Sequence, residues 1–408
     1  MDENSDGDDD SCSSLRHWLA SDNSDTPSIL VLDGGVSTHL EHLIHPKCFP
    51  HRELWSSSLL LSQEGQVYIQ QGHADWLHAG ADILSTVTYQ CHFGTGENDA
   101  VVYNPPVVKD DLQMKEIMAQ GVRLAQKTVQ EFVSKSGRSR QSENHHHHHH
   151  QKAKFVVASS GCYGAALADG SEYTGSYPSY MKNRNKLMDF HFAKAAVLVE
   201  AQPDGLAVET IPSLEECRAV IQMLGRLPER EQQGSNQNHQ NKRVAYWISL
   251  ACQNESQLND GHSVIDALDA LREMDPDAEV VHAVGINCCN PLHVPSLLRI
   301  IVGHMATQGP RRGIVVYPNS GEEWDAEKAD WKEGTGVQSS DEFTQQMVEA
   351  IHLIRAVWKQ HLDKTTASRG SNITIETSCP KIIVGGCCRT SPQTISKIRA
   401  AVDELNKN

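Results

Sequence analysis

The sequence predicts an α/β protein folded as one (β/α)8 TIM barrel. Eight short, near-continuous apolar runs of β type punctuate the chain, as strands buried on both faces require. Longer stretches with apolar residues at helical spacing lie between them, the alternation that makes a parallel sheet with crossover helices. The length of 408 residues exceeds an ordinary domain but suits a barrel carrying insertions. A doubly wound open sheet is the rival. It is disfavoured because no G-x-G-x-x-G follows the first strand.

In chain order, residues 1–27 begin "MDENSDGDDDSCSS". They are polar and acidic and are expected to form a disordered tail. The stretch has no apolar signal core and is too acid-rich for a transit peptide. The barrel domain is assigned to residues 28–408. Its strand runs are "SILVLDGG" (28–35), "ADILSTVTYQ" (81–90), "KFVVASSGCYG" (154–164) and "DGLAVETIP" (204–212). They continue with "RVAYWISLAC" (243–252), "AVGINCCNP" (283–291), "GIVVYPNSG" (313–321) and "KIIVGGCC" (381–388). Helices are expected over "DDLQMKEIMAQGVRLAQKTVQEFV", "FTQQMVEAIHLIRAVWKQHL" and "SPQTISKIRAAVDEL". In the last of these Ser391 is the N-cap and Pro392 the first helical residue.

Two polar segments, 134–153 and 226–242, break the rhythm. Each precedes a strand, so each belongs at the N-terminal, non-catalytic end of a barrel, and both read as mobile insertions. The run His145–His150 inside the first could coordinate metal. Its Ser, Glu, Asn, Gln and Lys flanks offer nothing obvious to orient the rings, so it reads as low complexity.

A formal net charge of −16 disfavours nucleic-acid and anionic-membrane partners. No apolar run approaches the roughly 18 residues of a membrane-crossing helix. The 11 cysteines are then expected to be reduced thiols of a cytoplasmic protein, available for metal or catalysis. Cys217 reads as a buried apolar thiol.

Candidate chemistry concentrates at the ends of the strands, where a barrel carries its active site. These ends hold Asp33-Gly34-Gly35, Thr86 with Thr88 and Tyr89, Glu209-Thr210, Cys288 and Asn319. The eighth run ends in adjacent Cys387 and Cys388. A disulfide between these two is disfavoured, because neighbouring Cα atoms lie about 3.8 Å apart and disulfides prefer roughly 4.4–6.8 Å. Strands six and eight of a closed barrel have one strand between them, so Cys288 can meet the pair across the mouth. Three thiolates there would suit Zn2+ with a fourth position open. Gly385 and Gly386 would permit the irregular backbone that turns adjacent side chains to one ion. Arg389 and the following helix N-terminus would offset the negative charge. The rival, a set of partly buried thiols, stays open on spacing alone.

The motifs "LDGGVSTHLE", "GADILSTVTYQ", "GAALADGSEYTG", "VETIPSLEE", "VGINCCNP", "VYPNSGEEWD" and "IVGGCCRTSP" resemble, in order, those of the homocysteine S-methyltransferase family. The resemblance spans about residues 29–400. It implies a zinc-dependent barrel, with the ligand role carried to Cys288, Cys387 and Cys388. The "ADGSEYTG" wording is most similar to the branch that uses S-methylmethionine or S-adenosylmethionine rather than betaine. Cys289 and Cys162 depart from the usual residues at their positions. Strand alternation is expected to turn Cys289 away from the metal.

The implied reaction moves a methyl group from a sulfonium donor to the zinc-bound thiolate of homocysteine, forming methionine. Asp33 and Glu209 are expected to grip the ammonium group of homocysteine. Gly34 and Gly35 would let backbone approach the ligand, and Thr86 and Asn319 complete the expected substrate set. Two alternatives stay open: another thiol or selenol acceptor such as selenocysteine, and a non-catalytic zinc or thiol redox sensor. Asp33, Glu209 and Asn319 favour the enzyme, because a sensor needs none of them.

Overall fold

The computed structural model describes residues 14–22, 27–44, 49–51, 53–93, 108–140, 153–227, 244–325, 330–332, 334–337, 339–369 and 378–407. Each of the eight apolar runs yields one strand of a single sheet. The strands are β1 (Ile29–Val31), β2 (Ile83–Ser85), β3 (Phe155–Gly161), β4 (Gly205–Ile211), β5 (Ala245–Leu250), β6 (Ala283–Asn287) and β7 (Gly313–Tyr317). After a two-stranded hairpin, β8 (Glu323–Asp325) with β9 (Asp330–Lys332), the last barrel strand is β10 (Ile382–Val384). The sheet order is β1-β10-β7-β6-β5-β4-β3-β2 and every pairing in it is parallel. A parallel bridge between Leu32 and Ile83 joins the first strand to the second and closes the barrel.

Alternate residues face the two sides of this sheet. Inward-facing Leu30, Phe155, Val157, Trp247, Val315 and Ile383 fill the barrel. Outward-facing Ile29, Val31, Leu206, Val208, Ile314 and Val384 pack under the helices. The bulk of Trp247 fits because its in-register neighbours on both sides are small, Ala207 on β4 and Ala283 on β6. Large beside small at one level is how a small barrel fills its interior.

The helices run around the outside. They include α2 (Val36–Leu43), α3 (Gln63–His78), α4 (Asp111–Arg140), the short α5 (Tyr163–Leu167), α6 (Arg184–Glu200) and α7 (Leu214–Leu224). They continue with α8 (Val264–Met274), α9 (Val294–Gln308), α10 (Ser340–Arg369) and α11 (Pro392–Leu405). As expected, Ser391 caps α11, its Oγ accepting from the Thr394 N–H at 3.3 Å, with Pro392 at the helix start.

The first segment corrects one expectation. Residues 14–22 are not a disordered tail: Leu15–Ala20 form a helix, α1, capped by the Ser14 hydroxyl. Leu15 is 0% and Trp18 1% exposed, and with Leu19 they join the interior cluster of the barrel. A Cβ on Gly313, the first residue of β7, would stand 2.5 Å from the Leu19 side chain. The helix therefore plugs the N-terminal mouth. Six residues are too few to show helical periodicity, and the acidic neighbours dominate the composition. Residues 1–13 lie outside the described residues.

The first insertion is also shorter than expected. Helix α4 continues through residues 134–140. Ser134 and Ser136, which read as loop formers, instead donate their hydroxyls back to the Gln130 and Phe132 carbonyls at 2.7 and 2.9 Å, a bond that serine makes within helices. Of the second insertion, Leu227 is buried and belongs to the body. Residues 141–152, which include His145–His150, and 228–242 lie outside the described residues.

His73 on α3 is buried, and neither ring nitrogen has a hydrogen-bond partner among the described residues. Burial pushes its pKa down to about 4. The folded chain thus refuses a proton that the unfolded chain accepts below about 6.5. The stability tied to His73 is fully present above that value and is lost as pH falls toward 4, a loss of up to about 3 kcal/mol. Replacing His73 with Leu is expected to flatten the decline in urea-unfolding stability between pH 6.5 and 4. An unchanged decline would show that His73 carries none of it.

Candidate active site

A cavity of about 110 Å3 opens at the C-terminal ends of the strands. Closure of the barrel brings to it eight of the nine residues expected from sequence: Asp33, Gly34, Gly35, Thr86, Glu209, Cys288, Cys387 and Cys388.

The three cysteines meet. Cys288 Sγ lies 2.6 Å from Cys387 Sγ and 3.7 Å from Cys388 Sγ, and all three sulfurs fall within 4.8 Å of one another. Among the described residues, no other group of His, Cys, Asp or Glu gathers in this way. Three sulfurs, each about 2.3 Å from a tetrahedral Zn2+, stand about 3.8 Å apart. The Cys288–Cys388 spacing is there already, and the Cys288–Cys387 pair is about 1 Å short of it. An all-sulfur donor set facing a cavity fits a soft divalent metal with one position left for a ligand. The Cys388 sulfur is held well below the usual thiol value, because the thiols of Cys288 and Cys387 hydrogen-bond to it.

The local backbone is not what the glycines suggested. Left-handed backbone falls on Cys288, at φ 48°, and on Arg389, at φ 66°, rather than on Gly385 or Gly386. Those glycines are required by space. A Cβ on Gly385 would stand 2.7 Å from the Asp33 carbonyl oxygen, and one on Gly386 would stand 2.2 Å from Thr390 Oγ1. The "GGCC" segment is thus pressed against the end of β1 and the start of α11. Arg389 was expected as a counter-charge to the sulfurs. Its guanidinium makes a two-point ion pair with Glu322.

Two carboxylates share the cavity. Asp33 accepts from the Ser85 N–H at 2.6 Å and the Ser85 hydroxyl at 3.0 Å. Burial pushes its pKa well up. Glu209 accepts from the Ser159 hydroxyl. Burial, then the nearby Cys387 sulfur, raises its pKa to about 7. Glu209 sits in a bulge of β4, where register with β5 slips between Val208 and Ile211 and Thr210 adopts φ 61°. Asn287 holds that bulge: its Oδ1 accepts from the Thr210 N–H and its Nδ2 donates to Thr210 Oγ1, both at 2.8 Å. Burial raises the pKa of both carboxylates, although the Lys194 cation acts against this at Glu209, so a ligand cation would stabilise their ionised forms.

Thr86 lines the cavity, but its hydroxyl pairs with Thr88 at 2.6 Å and accepts from the Ser159 N–H at 3.0 Å. Asn319 is the one expected residue outside the cavity lining. Its Oδ1 accepts from the Gly321 N–H at 2.8 Å to shape the loop after β7. Cys289 is buried in the outer apolar cluster and takes no part in the thiol group. Cys162 is buried in the same cluster, and burial pushes its thiol well up.

Lining residues that sequence reasoning missed include Trp55, Tyr173, Tyr317, Ser85 and Ser159. Tyr317 and Ser159 stand two residues beyond inward-facing Val315 and Val157, on the same face, so the period of two could have found them. Trp55 starts a 3-10 turn well outside any strand run, and nothing local in the sequence marks it.

The sequence model of the homocysteine S-methyltransferase family matches residues 30–402. Homocysteine S-methyltransferase 1 of Arabidopsis thaliana is 31% identical over 90% of this chain and 91% of its own. A betaine-homocysteine S-methyltransferase of Drosophila melanogaster is 30% identical over 94% of this chain and 97% of its own. Among solved structures, the metallated form of the homocysteine methyltransferase MmuM from Escherichia coli superposes with a TM-score of 0.63. It is 25% identical, with 92% of this chain and 97% of that one covered. The match across almost the whole barrel, with a thiol cluster at the mouth, establishes that this chain is an enzyme of the homocysteine S-methyltransferase family.

Proposed function

We propose that the enzyme is zinc-dependent and transfers a methyl group from a sulfonium donor, S-methylmethionine or S-adenosylmethionine, to the sulfur of homocysteine. The products are methionine and the demethylated donor. The observation that carries this reading is the convergence of Cys288, Cys387 and Cys388 on a cavity that also holds Asp33 and Glu209.

Cys288, Cys387 and Cys388 would hold the metal. Bound there, Zn2+ would supply a Lewis acid that lets a thiol shed its proton near neutral pH. Glu209, supported by Ser159, binds the acceptor's ammonium group. Asp33, tied to Ser85, adds a second carboxylate to the cavity. Trp55, Tyr89 and Tyr173 line the cavity too, and aromatic faces attract a cation such as a sulfonium. In the reaction one carbon–sulfur bond breaks in the donor as one forms on the acceptor, and the acceptor's thiol proton leaves. Thiolate and sulfonium become neutral thioethers, so charge is lost along the reaction. A cavity walled from bulk water favours that change by stabilising the separated charges less. A redox sensor would have no use for the two buried carboxylates.

Three outcomes test the reading. Wild-type protein is expected to hold one zinc per chain and Cys387→Ala to hold none and to lose turnover; a fully active, zinc-loaded Cys387→Ala protein would refute the metal assignment. Glu209→Gln is expected to raise KM for homocysteine about tenfold or more, the worth of a charge-assisted hydrogen bond, while zinc content stays unchanged. An unaltered KM would remove Glu209 from the acceptor site. In a donor panel with homocysteine, S-methylmethionine or S-adenosylmethionine is expected to outperform betaine by at least tenfold in kcat/KM, and selenocysteine tested as acceptor with the same donors is expected to be the poorer substrate. Preference for betaine would overturn the donor class.

A further inference from the structure

The thiol-bearing segments are joined by a loop that carries none of the three thiols. Strand β7 lies between β6 and β10 in the sheet, and its continuation, residues 317–322, hydrogen-bonds to both neighbours. The Cys387 N–H donates to the Pro318 carbonyl at 2.8 Å, and the Ser320 N–H donates to the Cys388 carbonyl at 3.1 Å. On the other side, the Cys288 N–H donates to the Tyr317 carbonyl at 3.3 Å and the Asn319 N–H donates to the Cys289 carbonyl at 3.2 Å. Asn319 Oδ1 sets the turn at Gly321, where φ is 78°.

The loop is fastened at its end by the ion pair. Arg389 Nε donates to Glu322 Oε2 at 2.7 Å and Nη2 donates to Oε1 at 3.1 Å. Glu322 Oε2 also accepts from the Ser320 hydroxyl at 2.8 Å. Arg389 directly follows Cys388 and holds a left-handed backbone. Its N–H is caught by Thr38 Oγ1 at 3.0 Å. Two-point guanidinium–carboxylate pairs fix orientation as well as distance. With the Arg389 and Glu322 side chains only 30% and 13% exposed, the pair is shielded from much of the screening that weakens surface ion pairs.

We propose that Glu322 and Arg389 are positioning residues for metal retention: they hold the loop after β7 so that Cys288 stays in register with Cys387 and Cys388. Neither residue belongs to the thiol cluster. Their effect passes through the Ser320–Cys388 and Cys387–Pro318 backbone bonds. This inference rests on the reading of the three cysteines as metal ligands.

Zinc affinity of the full-length protein, measured by competition with a chromophoric chelator, tests it. Glu322→Ala and Arg389→Leu are each expected to weaken zinc binding about tenfold or more, the usual effect of removing a group that orients a ligand. The double variant should be no weaker than the poorer single, because the two act as one unit. Arg389→Lys, which keeps the charge but not the fork, should lose less than Arg389→Leu. Urea unfolding in excess EDTA separates the roles. A pair that merely supports the fold would shift that midpoint and leave zinc affinity unchanged, which would overturn the proposal, as would additive losses in the double variant. If wild-type protein binds no zinc, the ligand reading fails and the latch falls with it. If wild type binds zinc and both single variants bind as tightly, the latch alone is overturned.

Discussion

Closure of a parallel sheet is the constraint on which the rest of this structure depends. A parallel strand needs covering on both faces, and an open sheet leaves two unpaired edges. The Leu32–Ile83 bridge removes both edges at once. Because every barrel strand runs the same way, closure also gathers eight C-terminal ends on one rim. Residues as distant in sequence as Asp33, Glu209, Cys288 and Cys388 then border a single cavity. Helix α1 seals the opposite mouth with Leu15, Trp18 and Leu19, so the interior opens on the reactive side.

The rim is a place where local preference is overridden. Thr210 and Cys288 take left-handed backbone, which costs a residue other than glycine on the order of 1 kcal/mol or more. Asp33 and Glu209 are buried carboxylates. Three thiols crowd at one point. These features oppose folding, and the surrounding structure holds them: Asn287 brackets Thr210, Ser85 holds Asp33, and Ser159 holds Glu209. The carboxylates and the thiols are groups that a cationic ligand or a metal would stabilise. That correspondence ties the energetics of the fold to the chemistry of the family.

Strand β7 occupies a particular place in this arrangement. It separates the two strands that carry the thiols, and its continuation hydrogen-bonds to the backbone of both. Asn319 illustrates the consequence. Its place at a strand end suggested a substrate ligand, whereas its side chain shapes the turn that carries Ser320 to the Cys388 carbonyl. Arg389, expected as a counter-charge to the sulfurs, has its guanidinium paired with Glu322.

Much of this was legible in the sequence alone. Buried strands are continuous apolar runs and need no long-range information, so all eight barrel strands and the Ser391 cap could be read directly. The ordered motifs likewise carried the family, the two carboxylates and the three cysteines. The tertiary structure decided what depends on neighbours remote in sequence. Leu15–Ala20 is a helix because the open end of a barrel buries it, although its own composition reads as tail. Gly385 and Gly386 are glycines because Asp33 and Thr390 leave no room for a Cβ. Trp55 reaches the cavity from a turn with no local signature. Periodicity reports which face of an element is buried, while space, counter-charge and hydrogen-bond partners are set only when the barrel closes.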